Sequence, residues 1–224
     1  EVLMAVPPGT PLTLCLPYFM LRKIVGLLGI ALPFILALGA WIFFGTGLQD
    51  TISEYYHTGM RDVFVGIVFV IGSFLVTYEG YDIVDNIVST IGGLSAFLAA
   101  IFPASPASAM TVSGILHAIF AGLFFLALIY FALFLFPKTS PVMPPTPQKL
   151  QRNMVYKTCG WIMIISLGLL LIYYLLPDPV TAPLKPFHPA FWLEAIAVVA
   201  FGVCWLTKGE GILQDKAGAI MTPH

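Results

Sequence analysis

Residues 117–136, "HAIFAGLFFLALIYFALFLF", form a run of twenty residues that contains no Asp, Glu, Lys or Arg. A helix that crosses a membrane needs about 20 mostly apolar residues, because the hydrocarbon layer is about 30 Å thick and each residue rises about 1.5 Å. The whole chain shares this character, with a mean hydropathy of +0.95, 59% hydrophobic residues and 9% charged residues. Soluble domains contain about half apolar and about a quarter charged residues. The sequence therefore predicts an all-α integral membrane protein.

Apolar segments of spanning length recur along the chain. We predict six membrane spans, at 24–46, 63–80, 86–103, 113–136, 156–176 and 190–207. They would form a single transmembrane domain over 24–207, preceded by a pre-membrane arm at 1–23 and followed by a cytoplasmic tail at 208–224. The arm lacks a basic region and contains four prolines, which is not typical of a signal peptide.

The third span, "NIVSTIGGLSAFLAAIFP" at 86–103, is the least hydrophobic of the six and is rich in small residues. Small side chains at spacings of three and four residues let helix backbones approach closely. We therefore expect this helix to lie inside the bundle rather than to face lipid.

The distribution of cations predicts the orientation, because short cytoplasmic loops carry an excess of Lys and Arg. If the N-terminus is inside, eight cations lie on the inner side and two on the outer side, which predicts that both termini are cytoplasmic. The inner ones are Arg22, Lys23, Lys138, Lys149, Arg152, Lys157, Lys208 and Lys216, and the outer ones are Arg61 and Lys185. The acidic inner loop "EGYDIVD" at 79–85 is expected to cap the third span. The net charge of −1 gives no reason to expect a nucleic-acid partner.

The polar stretch "DTISEYYHTGMRD" at 50–62 lies in the first outer loop of this topology. We expect a short helix that ends near Thr58 and Gly59, followed by a turn into the second span at Arg61 and Asp62. If the stretch is helical, Ser53, His57 and Arg61 follow one another at i, i+4 and i+8 on one face.

The same topology brings distant polar residues to the outer side. Glu194 is the one acid placed well inside an apolar segment, and an intramembrane carboxylate indicates a functional site. We predict an outer polar pocket that contains Ser53, Glu54, His57, Arg61, Asp62, His117, His188 and Glu194.

The residues leave three interpretations of this pocket open. His57, His117 and His188 could bind a metal, with zinc the most plausible ion and with Glu194 or Asp62 as a general base. The same groups could form a hydrated pocket for a lipid headgroup, a quinone-like ligand or a proton. They could also simply cap helix ends and pair with one another at the membrane interface.

Several stretches carry a resemblance to known families. The segments "SEYYHTGMRDVFVG", "YEGYDIVDNIVSTIGGLSAFLAAIFP" and "HAIFAGLFFLALIYFALFLF" resemble small six-span bacterial membrane proteins of the Frag1/DRAM-like and related uncharacterised families. That resemblance implies an integral protein of the bacterial inner membrane and no particular activity.

A shorter resemblance rests on Ser53 and His57, which match the Ser-x-x-x-His motif of the ceramidase and progestin/adiponectin-receptor superfamily. It implies a zinc-dependent hydrolase of a lipid amide or ester. That superfamily has seven spans and a His-x-x-x-His pair in the last one, whereas this chain has His188 followed by Trp192.

The leading functional hypothesis is a non-catalytic membrane protein with an outward-facing polar pocket, acting as a ligand-binding or accessory subunit of a membrane assembly. The expected partners are membrane lipid and other membrane subunits or a second copy of the chain. The alternative is the metal-dependent hydrolase, and a proton-coupled transporter ranks third.

Overall fold

The computed structural model describes residues 15–106, 109–139 and 145–213, and every regular element in those ranges is helical. Most of the predicted arm and most of the predicted tail lie outside the described residues. The α-helices, in chain order, are α1 (Cys15–Phe44), α2 (Arg61–Val76), α3 (Ile83–Ile101), α4 (Val112–Tyr130), α5 (Pro147–Leu175), α6 (Asp178–Thr181) and α7 (Pro189–Lys208). Two 3-10 helices accompany them, at Ser53–His57 and Ala182–Phe187.

Two of the long helices begin earlier than predicted. α1 starts at Cys15, so the last part of the expected arm belongs to the first long helix. α5 starts at Pro147, where the Thr146 hydroxyl accepts the Lys149 backbone N–H at 3.1 Å and caps the first turn. Proline at the first position of a helix costs no hydrogen bond, because that N–H has no partner within the helix.

Five helices of the described chain are long and apolar enough to cross a membrane, which supports an integral membrane protein built as a helical bundle. They are α1, α3, α4, α5 and α7, with α4 continuing to Leu135. A helix also occupies the predicted second span, but α2 has 16 residues and stops at Val76. Its length of about 24 Å is less than the hydrocarbon thickness of about 30 Å.

α7 lies at the centre of the packing, with α1 on one side and α5 on the other, while α3 packs between α2 and α4. α1 and α7 touch through their backbones, since a Cβ atom added to Gly202 would lie 2.6 Å from the carbonyl oxygen of Gly26. An aromatic core around Trp205 joins the two groups of helices, and the Trp205 ring packs edge-on against the rings of Phe74, Tyr78 and Phe136.

The prediction that the third span lies inside the bundle holds for one face only, because Ile83, Ile87 and Leu94 on its other face are exposed. Its buried residues are Asp85, Ser89, Gly92, Gly93, Ser95, Ala96, Ala99 and Ala100, which are nearly all small. The close approach is to α2, because a Cβ atom on Gly93 would lie 2.7 Å from the carbonyl oxygen of Gly72.

One turn of π-helix follows α4, over Phe131–Leu135. The backbone N–H of Phe136 donates to the carbonyl of Phe131 at 2.8 Å, which spans five residues instead of four. This turn lies shortly before Lys138 in the sequence.

Candidate functional site

The stretch 50–62 lies across one end of the bundle and contains the 3-10 helix Ser53–His57, which ends at Thr58. The predicted short helix is therefore confirmed. The predicted common face is wrong, because a 3-10 helix has three residues per turn and Arg61 belongs to the next element, α2.

Glu194 anchors this stretch to α7. Its Oε2 atom accepts the backbone N–H of Ile52 at 2.8 Å. Ile52 is the N-cap residue of the 3-10 helix, and the donors at the start of a helix lack partners within it. The intramembrane acid thus serves as a cap supplied by a different helix.

His117 and Ser53 form a second anchor, which connects the stretch to α4. The Nδ1 atom of His117 lies 2.7 Å from the carbonyl oxygen of Ala99 and 3.0 Å from that of Phe102. Carbonyl oxygens only accept, so Nδ1 carries the proton in the neutral ring and Nε2 is an acceptor. Nε2 lies 2.9 Å from the Ser53 hydroxyl, which therefore donates to it.

The two remaining predicted ligands bond elsewhere. The exposed His57 ring donates from Nε2 to the carbonyl of Ala104 at 2.8 Å, in the connection between α3 and α4. His188 donates from Nδ1 to Oδ1 of Asp50 at 2.7 Å, and its own backbone is left-handed with φ of 48° at the start of α7. The stretch is therefore tied to four different parts of the bundle.

The described residues do not support the predicted zinc site at His57, His117 and His188. They contain no group of three or more His, Cys, Asp or Glu side chains arranged to hold a metal ion. Both ring nitrogens of His117 are already bonded to protein groups, and the other two rings bond to separate loops. These residues do not fit zinc.

The geometry around Ser53 also gives little support to acyl transfer. A serine nucleophile beside a histidine base needs N–H donors for the oxyanion that forms. The neighbouring backbone donors are engaged, since Glu54 N–H donates to the Thr51 hydroxyl and Tyr55 N–H to the Ile52 carbonyl. With the Ile52 N–H bonded to Glu194, these contacts give the first turn of this helix a structural role.

Arg61 and Asp62 pair with each other at 3.1 Å with side chains that are 57% and 86% exposed. They lie at the start of α2, and neither lines the cavity described next. The prediction that both belong to one pocket with the three histidines is not supported.

A polar cavity of about 280 Å³ lies at the same end of the bundle, between the stretch and the segment that joins α5 to α7. Of the eight predicted pocket residues, it includes Glu54 and His188. Its lining consists of Asp50, Thr51, Glu54, Tyr173, Tyr174, Leu176, Asp178, Thr181, Lys185, His188, Pro189 and Ala190. We call it the outer pocket.

Three carboxylates and one lysine give the outer pocket a negative balance when His188 is neutral. Burial raises the pKa of Glu54, the negative charge of Asp50 adds to this, and backbone hydrogen bonds from Asp50 and Thr51 oppose it. One of those bonds runs from Asp50 N–H to Oε2 of Glu54 at 2.9 Å. Glu54 is thus an acid whose charged form the fold disfavours, which is a common property of binding sites.

The opposite end of the bundle contains an ion cluster. The sequence predicted only that its acids cap the third span. Asp82 caps α3 as expected, accepting the Asp85 backbone N–H at 3.0 Å. Asp85 is fully buried and accepts from Lys138 Nζ at 2.6 Å and 2.7 Å and from the Tyr130 hydroxyl at 3.0 Å. Asp85 therefore does more than cap a helix, because its ion pair with Lys138 connects α3 to the segment that follows α4.

No protein-family model, curated protein or solved structure matches this chain.

Proposed function

We propose that the chain is a non-catalytic integral membrane protein that binds a small organic cation in the outer pocket. The observation that carries this proposal is the cavity of about 280 Å³ whose lining includes the three acids Asp50, Glu54 and Asp178. A concave site with a few convergent polar groups is the usual form of a small-molecule site, and this volume suits a small ligand.

The lining favours an amine over a bare metal ion. Tyr173 and Tyr174 also line the pocket, and aromatic faces attract ammonium groups. Lys185, 3.7 Å from Asp178, offsets part of the negative charge and supplies donors, which suits a ligand that has polar groups besides its cation.

We further propose six spans with both termini on the cytoplasmic side. The two ends of α2 lie at opposite ends of the bundle, because His57 precedes it at the outer pocket's end and Tyr78 follows it against Trp205. A short hydrophobic helix is accommodated by local thinning of the bilayer. We also propose that the protein lies in a bacterial inner membrane, which is supported only by the resemblance to small bacterial membrane proteins.

The charges of the described residues support this orientation. The end that holds the outer pocket has two Lys or Arg and five acids, whereas the other end has seven Lys or Arg and four acids. An excess of cations is characteristic of the cytoplasmic side.

The test of ligand binding uses purified full-length protein in neutral detergent, with choline and putrescine as probes and thermal unfolding and calorimetry as readouts. We expect either probe to raise the unfolding temperature of the wild type. The effect should be lost in Asp178→Asn and Glu54→Gln.

The matched control is Glu79→Gln, an exposed acid at the other end of the bundle. It should keep the full response to the probes. The proposal fails if neither probe binds the wild type, or if Glu79→Gln loses the response to the same extent as the pocket variants.

A further inference from the structure

The three acids of the outer pocket differ in their partners. Oδ1 of Asp50 accepts from Nδ1 of His188 at 2.7 Å, and Oδ1 of Asp178 lies 3.7 Å from Nζ of Lys185. Glu54 accepts the backbone N–H of Asp50 at 2.9 Å and forms no ion pair with a cationic side chain of the described residues. Glu54 is therefore the pocket acid whose negative charge is left for a ligand to offset.

Glu54 is also the least exposed of these acids. The side chains of Asp50 and Asp178 are 54% and 91% exposed, whereas Glu54 is partly buried in the wall of the pocket. A carboxylate that loses water without gaining a cation is costly, and burial accordingly raises the pKa of Glu54. The empty pocket therefore keeps a proton on Glu54 at a pH at which an exposed glutamate has already lost it.

The titratable groups around Glu54 come from each element that packs against it. They are Asp50 and His57 in its own stretch, Tyr173 and Tyr174 on α5, Asp178 and Lys185 in the segment that joins α5 to α7, and His188 and Glu194 at the start of α7. After burial, the charge of Asp50 raises the pKa of Glu54 further, and His57 opposes it. Any test of a proton on Glu54 must therefore exclude His188 and Glu194 as its source.

We propose that the organic cation binds at Glu54 in exchange for the proton of that carboxyl group, an inference that rests on the proposed function. The ammonium group of the ligand pairs with the carboxylate, the proton passes to water, and no covalent bond of the ligand changes. The net charge of the pocket stays the same, so the exchange leaves no uncompensated charge in a partly buried site. Because Asp50 and Asp178 already have partners, the ligand needs a single cationic centre.

The first test follows the affinity for choline with pH, using purified full-length protein in neutral detergent and calorimetry. The range runs from neutral pH down to 4.5, the usual pKa of glutamate. We expect the affinity to fall by up to about ten-fold for each pH unit below the folded pKa of Glu54, because proton and cation compete for one carboxylate. Calorimetry in two buffers of different ionisation enthalpy should show a proton released for each choline bound in that range.

The second test identifies the group that releases the proton. Glu194→Gln keeps an acceptor for the Ile52 N–H, and His188→Gln removes the cationic partner of Asp50. Both variants should still release a proton when choline binds. Infrared difference spectra should show the loss of a protonated-carboxyl band on addition of choline to the wild type and to Glu194→Gln.

The third test compares putrescine with butylamine, a monoamine that has the same carbon chain. We expect the two affinities to agree within about two-fold, the statistical advantage of two equivalent amino groups. Binding of putrescine more than ten-fold tighter than that of butylamine would show that a second pocket acid also takes a cation, and it would overturn the single cationic centre.

The outcomes separate this inference from the proposed function. If choline and putrescine do not bind at neutral pH, both are wrong. If choline binds with the same affinity at every pH and releases no proton, the cation site stands and the exchange is wrong. Loss of proton release in His188→Gln or in Glu194→Gln, with choline still bound, would assign the proton to that residue and overturn the role of Glu54.

Discussion

The carboxylate of Glu194, on α7, accepts the backbone N–H of Ile52 at 2.8 Å across 142 residues of sequence. This bond fixes the start of the 3-10 helix Ser53–His57 and so positions Glu54 in the wall of the outer pocket. An acid that looked like a reactive group in the sequence therefore acts by holding another acid in place.

Replacing Glu194 by leucine should detach the first turn of that helix. We expect a loss of about 1–2 kcal/mol in the free energy of unfolding, as for the loss of a helix cap. Hydrogen exchange at the amides of Ile52 and Ser53 should become faster. Glu194→Gln keeps a carbonyl acceptor and should lose less, and unchanged exchange in Glu194→Leu would contradict the capping role.

The stability of the protein should respond to pH through Glu54. Burial raises the pKa of Glu54 above its usual 4.5, so the folded protein holds this proton more tightly than the unfolded chain does. The stability contributed by this proton is therefore fully present below pH 4.5 and is lost as the pH rises through the folded pKa of Glu54.

Glu54→Gln should therefore raise the unfolding temperature at neutral pH, and the gain should disappear below about pH 4.5. Thermal unfolding of both proteins across this range measures the difference. A gain that is the same at every pH would show that the fold does not disfavour the charge of Glu54.

Asp85→Asn should be destabilising, because it places a neutral amide beside the Lys138 ammonium at a fully buried position. Lys138 is 31% exposed and keeps its contact with Asp82, so we expect a loss of about 1–3 kcal/mol, as for a hydrogen bond to a charged group. The exposed neighbour Asp82 also contacts Lys138, at 2.9 Å, and Asp82→Asn should have a smaller effect on the free energy of unfolding in neutral detergent. Equal effects would contradict the dominant role of the buried partner.

Two glycines should respond to alanine in opposite directions. A methyl group on Gly202 would meet the α1 backbone at 2.6 Å, so Gly202→Ala should lower the free energy of unfolding by about 3 kcal/mol. Gly168, on α5, has no atom within 4 Å of an added Cβ, and Gly168→Ala should stabilise the helix by up to about 1 kcal/mol. Chemical unfolding in mixed micelles distinguishes the two, and a neutral Gly202→Ala would contradict the close α1–α7 crossing.

The number of spans can be tested at the two ends of α2. In a background without cysteine, His57→Cys should react with a membrane-impermeant maleimide on intact cells. Glu79→Cys should react only after permeabilisation, because both side chains are exposed but lie on opposite sides of the proposed membrane. Labelling of both from the same side would show that α2 does not cross.

The sequence predicted the long helices well because uninterrupted apolar runs such as 117–136 have few alternatives in a membrane. It also predicted the close packing of the small-residue face of α3, at 89–100, but not that the opposite face of this helix is exposed. The predicted second span continued to residue 80, whereas α2 ends at Val76, where the apolar run gives way to Thr77, Tyr78, Glu79 and Gly80.

The contacts of the site were predicted only in part. Topology places His57, His117 and His188 at one end, but which atoms meet depends on how each helix is rotated about its axis. Asp85 and Lys138 are 53 residues apart and carry no spacing motif, so nothing in the linear pattern joins them. Asp178, in the outer pocket, was missed because it stands alone between two apolar segments.

The π-turn at Phe131–Leu135 has a consequence for the evolution of this chain. One extra residue in a helical turn rotates everything after it by about 100°. With the rotation that this extra residue produces, Lys138 faces Asp85 and the Phe136 carbonyl faces Lys149. A homologue with a single-residue deletion in this turn would have a regular α-helix there, and its Lys138 equivalent would point to another neighbour. An alignment gap of one position would then mark the gain or loss of both contacts.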